Sequence, residues 1–428
     1  MIIHTVKNGD SLWKLSQNYG VPLSHILVAN GLSEQSILVI GQAVIVPTEP
    51  SPASHKVLAG ESLWQIGQRY GVTLQELASA NGIRNPALIY PGQMLKIPTT
   101  AKPVIEVNAY TEKLEQNGVA IVNEIGEYLT FLSPFSYRVQ PDGSLRPLDD
   151  TAIIAAAYAK RAAPMMVITN FVDGNFSPDI AHAVVAEEEV QNRVIAGIVA
   201  VMAQKGYMAL NVDFEYVPPA DKELYNAFLQ KLVDTLRPQG YLVSSALAPK
   251  LSATQTGTLY EAHDYEAHGR ILDFVILMTY EWGWSGGPPR AVAPLNEVLK
   301  VLNYALSVIP ADKVVMGMPL YGYDWTLPYV SGGRWAPTVS PFAAVERAAK
   351  YGAEIEYDEE SQSPFFHYYD EQGAQHVVWF EDARSVQAKF DVVKRLGLRG
   401  VSYWVLGVSF PQNWFVLGEN FTIKKYVR

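Results

Sequence analysis

The chain has 428 residues, 49% of them hydrophobic and 18% charged. That composition fills a large core and excludes wholesale disorder, and a scale of about 150 residues per domain predicts roughly three domains, or one large domain with small appendages. The absence of cysteine excludes disulfides, thiolate metal sites and a cysteine nucleophile, and the net charge of −10, almost all of it beyond residue 100, speaks against a basic nucleic-acid face.

No stretch approaches the roughly 18 apolar residues that span a bilayer, so no membrane contact is expected. Met1 to Thr5 lacks the basic head and apolar stretch of a secretory leader and runs straight into patterned sequence. The first hundred residues are a repeat. Aligned with itself at an offset of 51, the chain matches at 17 of the 44 positions from 4–47, without a gap. Each copy carries Gly-Asp/Glu-Ser-Leu-Trp, Tyr-Gly-Val, Asn-Gly and Gly-Gln.

Inside the first copy, a strand at 4–6 leads through Asn8-Gly9-Asp10 into a helix with apolar residues at Leu12, Leu15 and Tyr19, ended by Gly20. A second helix fits 23–29 with Asn30-Gly31 as its stop, and a last strand fits 43–46 before Pro47. These motifs in two tandem copies resemble the LysM family. The resemblance implies binding of glycans that contain N-acetylglucosamine, through Gly9, Asp10, Ser11, Leu12 and Asn30 in the first copy and Gly60, Glu61, Ser62, Leu63 and Asn81 in the second. Trp13 and Trp64, read on the apolar helix face, are expected in the module cores. The expected division is modules at 1–48 and 55–99, linkers of Pro/Ser/Thr character at 49–54 and 100–103, and one large domain from 104 to 428.

From residue 104 onward, eight apolar runs rich in β-branched and aromatic residues fall at 105–110, 129–135, 164–170, 208–215, 241–247, 272–280, 313–321 and 400–405. Helical patterns lie between them at 150–161, 180–205, 221–236, 292–308 and 383–396. Buried strands alternating with helices predict a parallel sheet of the α/β class, and eight of them a TIM barrel. An open doubly wound sheet is the alternative, without a Gly-x-Gly-x-x-Gly after the first strand to support it. The excess length falls at 324–380, where short strands at 357–358, 365–369 and 376–380 predict an α+β insertion forming one wall of the cleft.

Chemistry in such a barrel gathers at the C-terminal strand ends. The fourth run ends Asn211-Val212-Asp213-Phe214-Glu215, and period-two alternation places Asn211, Asp213 and Glu215 on one face. Two carboxylates in a partly desolvated cleft raise one another's proton affinity and make one a proton donor near neutral pH. Salt bridges or a helix cap fit the same residues equally well.

Asp-x-Glu on strand four, Met278-Thr279-Tyr280 on strand six, Gly317 to Gly322 on strand seven and Tyr403-Trp404 on strand eight resemble the family 18 glycoside hydrolases. In that family the substrate's own acetamido oxygen attacks the anomeric carbon. The resemblance implies Glu215 as general acid and base, Asp213 as the group that orients the acetamido, Tyr280 as its hydrogen-bond donor and Trp404 as the floor of the sugar site. Asn211, Met278, Tyr321 and Trp282 are implied as substrate contacts, and no metal or other cofactor. Where the family pattern is Asp-x-x-Asp-x-Asp-x-Glu, this chain has Met208 and Asn211 at the first two aspartates. Asn211 can hydrogen-bond Asp213 but cannot share its proton. Trp282, Trp284, Trp325, Trp335 and Trp379 gather near the mouth, as sugar platforms or as core of the insertion.

The module-first order, the absent leader and the cysteine-free barrel resemble the spore-cortex lytic N-acetylglucosaminidases of Bacillus-type spore formers. That resemblance implies peptidoglycan of the cortex as substrate and partner, a monomer, and deposition on the spore coat or surface from the mother-cell cytosol. The rivals are a chitinase of the same fold and a non-catalytic glycan-binding coat protein, against which the presence of Glu215 argues.

Overall fold

The computed structural model describes residues 1–48, 54–70, 72–98 and 101–427; most of the expected linker at 49–54, residue 99 at the end of the second expected module and residue 100 at the start of the second linker lie outside them. The first module pairs Ile2–Thr5 with Ala43–Val46 in an antiparallel ladder and packs helices Leu12–Tyr19 and Leu23–Asn30 against it. The second repeats this with Ser54–Lys56, Leu63–Tyr70, Leu74–Ala80 and Met94–Lys96. Gly20 and Gly31 end the first module's helices at φ +63° and +64°, the left-handed conformation that glycine adopts without a Cβ clash.

The large domain is a closed barrel of eight parallel strands: Val104–Thr111, Phe131–Pro134, Ala163–Thr169, Ala209–Asp213, Leu242–Leu247, Phe274–Leu277, Val314–Pro319 and Gly400–Leu406. Each strand pairs with its chain neighbour, and the eighth returns to the first. Alternation sorts the side chains into two cores. On strand four, Leu210 and Val212 join the shell beneath the helices, whereas Ala209 faces the lumen with Met165, Val167, Phe274, Ile276 and Val315. Near the N-terminal end, buried Glu106 takes a two-point bond from Arg399 at 2.6 and 2.9 Å and a third from Lys424 at 2.8 Å, so the charge is matched where the barrel is plugged.

The structure departs from the sequence reading at one helix and at the ends of strands four and six. The helix expected at 180–205 is two, Pro178–Ala186 and Glu188–Lys205, because Glu187 is extended and the carboxylates of Glu188 and Glu189 favour a new helix N-terminus there. Strand four stops at Asp213 and strand six at Leu277, so Glu215, Met278, Tyr280 and Trp282 sit on loops beyond the strands expected to carry Glu215, Met278 and Tyr280. The insertion is a five-stranded antiparallel sheet in the order Thr338–Val339, Gly322–Leu327, Gln375–Trp379, Ser363–Tyr369, Glu356–Asp358, with helix Pro341–Tyr351 packed on it. Buried Asp324 joins its parts, accepting from Tyr368 at 2.6 Å, His376 at 2.9 Å and Arg347.

The two modules stand differently toward the barrel. Module one is docked: the Gln412 amide donates to Asn30 Oδ1 and the Ala43 carbonyl, both at 2.8 Å, Arg384 reaches the Gly41 carbonyl, and the Ile355 N–H bonds to Ile40. Val39 and Ala43 are buried in this seam. Their counterparts 51 residues on, Tyr90 and Met94, are 65% and 58% exposed. A Cβ on Gly41 would lie 1.8 Å from the Ile355 carbonyl oxygen, whereas one on Gly92 meets nothing within 4 Å, although both sit at φ above +80°. Alanine at either position therefore costs about 1–2 kcal/mol of backbone strain, but only Gly41→Ala wedges the seam. Limited proteolysis should release module one from Gly41→Ala and leave Gly92→Ala like wild type in that segment.

Candidate active site

The C-terminal half of the barrel lumen holds a polar layer. Asn108 donates to Ser402 at 2.9 Å and accepts from Ser133 at 2.7 Å; above it Asn211 donates to the Tyr110 hydroxyl at 3.0 Å and accepts from Ser244 at 2.9 Å. The oxygen and the nitrogen of the Asn211 amide are thereby oriented by strands five and one without any charge. Met208, at the place of the family's first aspartate, packs into the apolar lumen below. Asp213 is buried beside this layer, and its Oδ1 has no hydrogen-bond partner among the described residues. Glu215 follows on the loop, half-buried. Burial pushes the Asp213 carboxyl up to about 7, and burial followed by the charge of Asp213 pushes Glu215 up to about 8. One proton held between them near neutral pH gives a donor and an anion side by side, the arrangement that acid-assisted bond cleavage needs.

The sixth-strand loop supplies the opposite wall. Thr279 anchors it through a 2.8 Å bond to the Gly317 carbonyl, and Tyr280 packs among Tyr321, Tyr323 and Trp404. Burial, then the charges of Asp213 and Glu215, keep the Tyr280 hydroxyl protonated far above its usual range, so it has a proton to donate. Glu281, which the sequence reading did not single out, is held at φ +67° with its carboxylate accepting from Tyr323 at 3.0 Å and from Tyr321. A side chain in that conformation costs about 1–3 kcal/mol and persists only where its surroundings hold it; the two tyrosines do so. Met278 is half-buried at the loop's start. Trp404 meets Phe135 and Tyr110 edge-on, at ring distances of 4.9 and 5.7 Å. Of the other tryptophans, Trp325 is core, its indole N–H on the Gly287 carbonyl at 2.9 Å, and Trp379 stacks on Phe365, while Trp284 and Trp335 form an exposed pair. The described residues contain no group of three or more His, Asp or Glu placed to hold a metal ion.

In the modules, several of the residues named for glycan contact turn inward. Leu12 and Leu63 are core, and the amides of Asn30 and Asn81 bond the backbone of the last strand at 2.6–2.8 Å, so the side chains of Leu12, Leu63 and Asn30 are buried and that of Asn81 is tied to the last strand. Ser11 caps its helix through Lys14 N–H. Asp10 and Glu61 accept from His4 and His55 at 2.8 and 2.7 Å, and each histidine also meets a tyrosine, Tyr19 or Tyr70. Gly9 and Gly60 form the left-handed turns. The core placement expected of the tryptophans is wrong: Trp13 and Trp64 are 64% and 59% exposed. The buried helix face runs through Leu12, Leu15 and Ser16, and the residue after Leu12 is turned about 100° from it.

With this geometry in view, the comparisons with known proteins are direct. The profile "Glycosyl hydrolases family 18" matches residues 159–408, and the LysM domain profile matches 4–47 and 55–98. The chain belongs to glycosyl hydrolase family 18. It carries two N-terminal LysM domains on a TIM barrel. It is 44% identical to a Bacillus cereus protein named cortical fragment-lytic enzyme, over 99% of both chains, and 43% identical to a Bacillus subtilis (strain 168) protein of the same name, again over 99% of both. Among solved structures it is similar to the Bacillus cereus spore cortex-lytic enzyme SleL, with TM-score 0.87 and 43% identity over 99% of each chain. A Chromobacterium violaceum chitinase shares 26% identity at TM-score 0.67, covering 74% of this chain and 99% of that one.

The raised proton affinity of Glu215 sets the sign of a stability effect. A carboxyl whose folded value lies above its unfolded value near 4.3 destabilises the fold progressively as pH rises toward about 8. Glu215→Gln has no such charge to bury. Its melting temperature relative to wild type should therefore climb between pH 4 and pH 8 in calorimetry; a constant difference would contradict the placement of this carboxyl.

Proposed function

We propose that this chain hydrolyses β-N-acetylglucosaminyl bonds in spore-cortex peptidoglycan by substrate-assisted, retaining catalysis. Glu215, protonated, gives its proton to the glycosidic oxygen while the substrate's acetamido oxygen attacks the anomeric carbon. Asp213 as the anion orients the acetamido group and balances the positive oxazolinium; Tyr280 donates to the acetamido oxygen; Trp404 floors the ring. Glu215 then takes a proton from the water that reopens the intermediate, which returns the original configuration. The observation that carries this reading is the carboxyl pair at the barrel rim, buried Asp213 beside half-buried Glu215, both holding protons up to near neutral pH beside a tyrosine that stays protonated. Asn211, Met278, Trp282 and Tyr321 are proposed to shape the sugar site around them.

The cortex as substrate rests on the names of the relatives, which match over the whole chain. A place on the spore coat or surface, and action as a monomer, belong to the same proposal. The LysM domains are proposed to hold the glycan through Gly9 to Leu12 with Asn30 and Gly60 to Leu63 with Asn81. Both the protein, at −10, and its polymer are largely anionic, so hydrogen bonds and sugar stacking must replace charge attraction, and two weak sites on one chain raise the effective concentration on the polymer.

Digestion of purified cortex, vegetative wall and chitin with wild type and Glu215→Gln, read by mass spectrometry, tests the reading. Fragments with reducing-end N-acetylglucosamine should appear from cortex, and the variant should be slower by about 100-fold or more, the contribution of a general acid. Equal release from chitin would reassign the chain as a chitinase, and an equally active variant would remove Glu215 from the chemistry. The rate with wild type should be bell-shaped in pH, falling on the acid side as Asp213 is protonated and on the alkaline side as the last proton leaves the pair.

A further inference from the structure

Glu215 stands two residues past the end of the fourth barrel strand, beyond the ladder that holds Asp213. Two buried side chains, one directly after strand three and one in the loop ahead of helix Tyr265–Ile271, take the ladder's place. Asn170, directly after strand three, receives the Glu215 N–H on Oδ1 at 3.1 Å and returns Nδ2–H to the Glu215 carbonyl at 2.8 Å. The same Nδ2 reaches the Ser177 carbonyl at 2.9 Å. From the other side, His263 donates Nε2–H to the Phe214 carbonyl at 2.9 Å and receives the Ala248 N–H, just past strand five, on Nδ1 at 2.8 Å. A backbone N–H only donates and a carbonyl only accepts, so these partners admit one neutral tautomer of His263. Immediately beyond Glu215, Tyr216 is held at φ +55°, a conformation that needs support from its surroundings.

We propose that Asn170 and His263 are positioning residues that clamp the Phe214–Glu215 backbone from both sides and so aim the Glu215 carboxyl at the glycosidic oxygen. The proposal rests on the role given to Glu215 above. A clamp on the main chain of the acid, touching no substrate, acts on turnover and leaves binding alone: displacement of a reacting group by about 1 Å costs up to about 100-fold in rate. A residue needed only for folding would lower the amount of active protein and leave the turnover of the folded fraction unchanged.

The two nitrogens of His263 make the test specific. His263→Gln keeps a donor at the Nε2 position, toward Phe214; His263→Asn keeps an acceptor at the Nδ1 position, toward Ala248, and loses the bond to the catalytic segment. Steady-state rates on solubilised cortex fragments, per folded protein measured by near-ultraviolet circular dichroism, should show kcat lower by about 10- to 100-fold in His263→Asn and Asn170→Ala with KM within about threefold. His263→Gln should recover most of the loss. Equal kcat in the two His263 variants, or a loss confined to KM, would overturn the clamp. If neither His263 variant folds, Asn170→Ala decides alone, and wild-type kcat there overturns it. A wild type inert on the fragments would instead overturn the reading of Glu215, an outcome distinct from active variants of an active wild type.

Discussion

Asp213 and Glu215 sit where water is scarce, and burial is the largest influence on both, so each resists ionisation and together they hold a proton at a pH where exposed carboxyls have none. A pair of that kind is tolerated only if the neighbouring groups neither neutralise it with a cation nor crowd it with more negative charge. Among the described residues no cation pairs with these carboxyls: the two buried lysines are spent elsewhere, Lys389 on Glu381 and Lys250 on the His263 carbonyl, and Arg399 is held by Glu106. The groups that line it, Tyr110, Asn211, Ser244 and Tyr280, are neutral hydrogen-bonding side chains carried by strands one, four and five and by the loop that leaves strand six. A closed parallel barrel is the architecture that delivers four such ends to one rim.

The same constraint accounts for the two strained residues near the site. Tyr216 and Glu281 both adopt left-handed backbone, one beside Glu215 and the other beside Tyr280. In each case the chain must leave its strand early and turn sharply so that the preceding side chain points into the cleft. The compensation lies in bonds to the turn, from Asn170 and His263 on one side and from Tyr321 and Tyr323 on the other.

Much of this was legible in the sequence, and the remainder fails for identifiable reasons. The eight barrel strands read correctly because strands covered on both faces are apolar runs bounded by helices, and the parity of Asn211 and Asp213 follows from a period of two. Glu215 continues that parity on paper, but its peptide leaves the ladder for Asn170 and His263, which lie 45 and 48 residues away in sequence. Tyr280 and Glu281 are displaced for a similar reason, with partners on the insertion that local pattern does not reveal. The break at Glu187 carries no glycine or proline. Trp13 and Trp64 were misplaced by treating an apolar residue as a buried one, although Leu12, Leu15 and Ser16 already define a face that excludes Trp13. The docking of module one leaves only a faint mark, small Val39 and Ala43 where the second copy has Tyr90 and Met94, and that difference has meaning only once the seam is seen.

Asn211 ties these strands together. An aspartate there, as the family pattern has it, would be a third carboxyl in a space where two already resist ionisation, and it would offer Asp213 a proton to share. The amide offers none. It does, however, orient without ambiguity, because Tyr110 can accept its N–H and Ser244 can donate to its oxygen, so the polar layer beneath Asp213 is fixed whatever the protonation of the pair. Proton traffic at this rim is then confined to Asp213, Glu215 and the substrate. With a relay through the layer below excluded by the amide, the proposed mechanism leaves the geometry of Glu215 alone to decide whether the proton reaches the leaving oxygen, and on that proposal the support of its backbone matters more here than where an aspartate pair could share the load.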